Sequence, residues 1–173
     1  MFPEYIDYIN KLHEINTWIW LVSIIAPFSM YCLKIGSRSY YIAAAVWVIS
    51  QFLNLRIEPY LDAIVSVSRE HLVYWYGTWA TLDVICIFVI YFAHIRHKTG
   101  IGFTSLSVMF AYAALGFMQI VRYLEVSFFE TNYLSSLYTL GINSGNIAIS
   151  TLIALPLACY FWEYLFVQRN KNV

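Results

Sequence analysis

Five apolar runs, each of about 18 residues or more, decide what this chain can fold into. They read from about Ile15 to Leu33, Tyr40 to Ile57, Leu72 to Ala93, Phe103 to Val126 and Ile142 to Val167. A bilayer core of ~30 Å needs roughly 20 mostly apolar residues per helix, so each run is long enough to cross once tilt is allowed. Backbone N–H and C=O groups find no water in that core, which restricts spans to helices or closed barrels. Barrel strands alternate in character over roughly ten residues, and these runs do not. The expected fold class is therefore all-α: a polytopic helical bundle of five transmembrane helices, one domain over 1–173, with the lipid bilayer as its first partner.

The rest of the composition agrees. Only 12% of the 173 residues are charged, about half of what a soluble domain carries, and the connections leave no room for a second folded unit. Ten basic and ten acidic residues cancel, so nothing draws the chain toward nucleic acid. Cys32, Cys86 and Cys159 lie far apart in apolar stretches, without the spacing of a redox or zinc site. The N-terminal MFPEYIDYINKLHE is acidic where a signal peptide is basic, so the first run is expected to stay in the mature protein.

Basic residues set the expected orientation. Lys34 and Arg38, Arg96 and Lys98, and Arg169 and Lys171 all fall on one face of a five-span bundle, the cytoplasmic one by the positive-inside tendency. The other face carries Glu4, Asp7, Glu14, Glu58, Asp62, Glu70 and Glu130 against Lys11 and Arg69, giving an outside N-terminus and a cytoplasmic C-terminus. Short loops with this charge pattern suit a bacterial inner membrane. Gly36, Gly100, Gly102 and Gly141 are read as turns at span boundaries. Pro59 is read as the first residue of a short interfacial helix in EPYLDAIVSVSREH, and Tyr5, Tyr8, Leu12 and Ile15 as the apolar stripe of an N-terminal cap. Kinks are expected at Pro27 and Pro156, and close helix approach at Ala111, Ala114 and Gly116.

Polar residues inside the runs single out a candidate site. An Asp, Lys or Arg at a helix centre costs roughly 2.5–3.5 kcal/mol on insertion scales, so each needs a partner, water or a role. Asp83 is the only acid near mid-depth, on a face shared with Tyr76, Trp79, Cys86 and Ile90 that continues to His94 and His97. Gln51, Asn54 and Glu58 form a stripe on span two with Arg56 close by; Gln119, Arg122 and Glu125 follow on span four, and Asn143 and Asn146 on span five. All three stripes fall in the outer half of the bundle, which predicts one outward polar chamber floored near Asp83. The plainer alternative is that the amides act as glue between helices, at ~0.6 kcal/mol each on average. Arg56 and Arg122 either snorkel to headgroups or pair with Glu58, Glu125 or Asp83. His94 and His97 are read as part of the basic-face signal; two His without a third ligand predict no metal, and no cofactor is expected.

No H-E-x-x-H or G-x-S-x-G motif occurs and no catalytic residues are assigned, so the expected function is non-enzymatic. The leading expectation is a membrane subunit that senses, anchors or protects by binding other proteins or copies of itself. A small oligomeric channel or transporter using Asp83 as an ion or proton site is the alternative, and an intramembrane enzyme with a Glu58–Glu125 pair the third.

Overall fold

The computed structural model describes residue 18 and residues 20–171. The N-terminal cap and residues 15–17 and 19 of the first run lie outside the described residues. Helices α1 (Trp20–Cys32), α2 (Arg38–Val65), α3 (Leu72–Arg96), α4 (Phe103–Phe128) and α5 (Ser135–Lys171) make up the chain, with one 3-10 turn at Arg69–His71 and no strand among the described residues. Four of them, α2 to α5, are long and apolar enough to cross a membrane; the described part of α1 is apolar but shorter.

Local chemistry fixes the ends. Ser37 caps α2 by accepting the Tyr40 N–H at 3.1 Å. Helices α1 and α3 both close with a lysine in the left-handed region, Lys34 at φ 57° and Lys98 at φ 50°. Each is bracketed by the paired bonds of a Schellman turn: Ile35 N to Met30 O with Lys34 N to Tyr31 O, and Thr99 N to His94 O with Lys98 N to Ile95 O.

Two boundaries differ from the sequence reading. Pro59 does not start a separate helix, because α2 runs through it to Val65. The proline removes the bond to the Leu55 carbonyl, but Leu55 and Pro59 are both exposed, so that carbonyl is not stranded in the packed interior. At 28 residues α2 is ~42 Å long, more than a bilayer core requires. Gly141 likewise marks no turn. It lies inside α5, where the Met118 side chain crosses the space a Cβ would occupy. Helices α1 and α5 also continue through Pro27 and Pro156 without interruption.

Helix α3 packs chiefly on α4 and α2, and α4 on α5. A close-packed layer of Ala43, Ala44, Cys86, Ile90, Val108, Tyr112, Ile149 and Ile153 fills the half of the bundle nearer Lys34 and Lys98. Large apolar side chains such as Ile49, Phe52, Phe88, Phe92, Phe110 and Phe117 point away from it, as a lipid-facing surface requires. Gly116 is buried against α3, whereas Ala114 is exposed and forms no part of that seam.

His94 is not a surface basic residue. It is 2% exposed, with Nδ1 2.7 Å from the Ile90 carbonyl and Nε2 2.8 Å from Ser39 Oγ. Ser39 Oγ also accepts the Gly102 N–H at 2.8 Å, and Ser105 Oγ donates to the Ser39 carbonyl at 2.7 Å. This latch joins α2, α3 and the start of α4, and Gly102 permits it, since a Cβ there would stand 3.1 Å from Ser39 Oγ. Ser39→Ala is expected to leave one imidazole nitrogen and the Gly102 N–H unpaired and to cost about 1–3 kcal/mol, read as a lower Tm in detergent. An unchanged Tm would show that the latch carries no stability.

Candidate functional site

Above the apolar layer, on the side of Glu58, the five helices part around a cavity of about 560 Å³. The sequence explains why they do so there: α2 and α5 change at this level from small and aliphatic side chains to amides. Helix α2 contributes Gln51, Asn54 and Glu58, α3 contributes Asp83, α4 contributes Gln119, and α5 contributes Asn143, Asn146 and Ser150. Seven of the ten polar residues singled out from the sequence therefore line one space.

Arg56, Arg122 and Glu125 do not line it. Helical geometry gives the reason. Gln51, Asn54 and Glu58 are spaced three and four apart, as are Asn143, Asn146 and Ser150, and stay on one face at 100° per residue. Gln119, Arg122 and Glu125 advance by three each time, so the row slides around α4 by ~120°. Arg122 and Glu125 consequently turn to the α4–α5 connection, where they form a buried ion pair. Arg122 also donates to Asn132 Oδ1, and Glu125 Oε1 accepts the Leu134 N–H at 2.8 Å. Asp83 pairs with neither arginine: Arg56 is exposed, its guanidinium 5.3 Å above the Phe52 ring.

Aromatic side chains wall the chamber, and of these the sequence reading places only Trp79 on the Asp83 face. Trp20, Trp47, Trp75, Trp79 and Tyr138 all line the cavity. Trp75 and Trp79 meet edge to face at 5.7 Å, and Tyr138 packs on Tyr76 at 5.7 Å while donating to Gln119 Oε1 at 2.8 Å. For three of the tryptophans the sequence signal is spacing: Trp75 and Trp79 lie eight and four residues before Asp83, and Trp47 four before Gln51.

The floor is closed. Leu115 seats on Gly145, where a Cβ would come within 2.5 Å of its Cδ2, and Tyr112 and Ser50 share a hydrogen bond of 2.8 Å just beneath. Asp83 stands at this floor beside Gly116, whose Cβ position lies 3.4 Å from Asp83 Cβ. Its carboxylate makes no hydrogen bond or ion pair with any described residue. Three polar atoms of other lining residues are buried without a hydrogen-bond partner: Trp20 Nε1, Trp47 Nε1 and Asn54 Oδ1. An unmade bond at a buried polar atom costs about 1–3 kcal/mol, so each of these atoms needs a partner that the described side chains do not supply.

Among the described residues, no group of three His, Cys, Asp or Glu is placed to hold a metal ion. Comparison with protein-family models, curated proteins and solved structures returns no match. The geometry of the chamber is therefore the ground on which its function is read.

Proposed function

We propose that this chain is a non-enzymatic, five-span membrane protein of a bacterial inner membrane that senses a polar ligand held in the chamber. It passes that state on through contacts with another membrane protein or with copies of itself. The observation carrying this reading is the set of buried polar atoms without a hydrogen-bond partner, Trp20 Nε1, Trp47 Nε1 and Asn54 Oδ1, on residues that line one cavity together with Asp83. Helix glue would pair these groups with each other. An ion pathway is the second reading, favoured by Asp83 at the chamber floor, which has no ion-pair partner among the described residues. The apolar layer from Cys86 to Ile90 and from Ile149 to Ile153 stands between that carboxylate and the other end of the bundle, which favours holding over conduction within one chain. Glu58 lines the cavity whereas Glu125 serves the α4–α5 connection, which supports a non-enzymatic reading over one built on a Glu58–Glu125 pair.

Two experiments test this. Mass measurement of the protein released from its membrane in mild detergent is expected to give the chain with a bound small molecule, within an oligomer or a complex. A bare monomeric chain would overturn the sensing role. The orientation is tested by thiol labelling in a background with Cys32 and Cys159 replaced by alanine, using the exposed positions Ser37, His97, Ser66 and Tyr133. With an impermeant reagent on intact cells, cysteine at Ser66 or Tyr133 is expected to react and cysteine at Ser37 or His97 to stay protected. Labelling at Ser37 would reverse the orientation.

A further inference from the structure

The chemistry of the lining narrows what the chamber can take. Its described residues include two carboxylates, Asp83 and Glu58, and no lysine or arginine. Nothing described neutralises Asp83, so the interior favours positive charge on what enters. Four of the six tryptophans of the chain face the same space. An indole face is the best aromatic partner for an ammonium group, and a desolvated site strengthens that attraction. A bare metal ion fits poorly, because it requires several oxygen ligands converging at short range, whereas these walls are mostly aromatic and the volume is that of an organic molecule.

The unpartnered atoms add a second requirement. Asn54 Oδ1 seeks a donor, but Trp20 Nε1–H and Trp47 Nε1–H seek acceptors. Trp47 is only 2% exposed, so bulk water does not satisfy it. We infer that the chamber binds an organic ammonium bearing a hydroxyl or ester oxygen, the cation set between Asp83 and the indoles and the oxygen toward the tryptophan N–H groups. This rests on the chamber being a ligand site. A free amino alcohol and the headgroup of a choline lipid share this chemistry.

Choline and its neutral carbon isostere, 3,3-dimethylbutan-1-ol, have nearly the same shape and differ in charge, and 3,3-dimethylbutanoate supplies the opposite charge. Tryptophan fluorescence of the full chain in nanodiscs of phosphatidylglycerol is titrated with each. Choline is expected to give a saturable change, with the neutral isostere about tenfold weaker or more and the anion weaker still. Asp83→Asn is expected to lower choline affinity about tenfold while leaving the neutral isostere unchanged. Should that variant fail to fold, the comparison of isosteres on the unaltered chain decides alone. Equal or tighter binding of the neutral or anionic probe would overturn the ammonium assignment and leave a ligand chamber standing. Binding of none of the three would overturn both. Repeating the titration with phosphatidylcholine in the nanodisc separates the sources: abolished choline binding assigns the site to the headgroup, and unchanged binding assigns it to the free amino alcohol.

Discussion

Glu125→Ala is expected to give the largest loss of thermal stability of the substitutions proposed, because it removes the counter-charge of Arg122. Glu125 is buried and holds three groups at once: the Arg122 guanidinium, the Thr131 hydroxyl and the Leu134 N–H. Its removal leaves a buried cation without a counter-charge and frees the connection that sets the start of α5. An uncompensated buried charge is worse than no charge. The double change Arg122→Met with Glu125→Leu is therefore expected to recover much of the loss, since it removes both ions and keeps apolar volume. Denaturant or thermal unfolding in detergent of the single and double variants checks this, and a double variant as unstable as Glu125→Ala would show that the hydrogen bonds, not the charges, dominate.

The second large effect is at Gly116, where α4 touches α3 beside Asp83. A Cβ there would meet Asp83 Cβ at 3.4 Å and the Ala80 carbonyl at 3.7 Å, which is ordinary contact. Gly116→Ala is thus expected to be tolerated, and its helix propensity can return up to ~1 kcal/mol. Gly116→Leu has no such room and is expected to cost about 1–3 kcal/mol by forcing the two helices apart. The same displacement moves Asp83, so ligand binding is expected to fall in the leucine variant and persist in the alanine variant. Equal Tm values for the two would show that the helices do not meet closely at this position.

The helices were legible because their signals are long and one-dimensional. The run beginning at Phe103 has its start marked by Gly102, and the observed helix ends within two residues of the expected bound. Pro59 and Gly141 misled for one reason: each is a breaker by local propensity, and each is overridden by its surroundings. Pro59 loses a bond only at an exposed carbonyl, and Gly141 is needed for packing against Met118. The polar row of α4 was traced correctly as a spacing but not followed around the helix, where a strict three-residue step carries Arg122 and Glu125 off the chamber. Ser39 and Ser105 carry no sequence signal of the latch with His94, because the residues that meet are 55 and 66 positions apart.

The chamber is tested most directly by an experimental structure of the protein taken from its native membrane into lipid nanodiscs, at a resolution that shows side chains. A ligand chamber predicts non-protein density between Asp83, Trp47 and Trp79, within hydrogen-bond distance of Trp47 Nε1 or Asn54 Oδ1. A cavity holding water alone, or one closed by side chains that pair those atoms with protein neighbours, would contradict it.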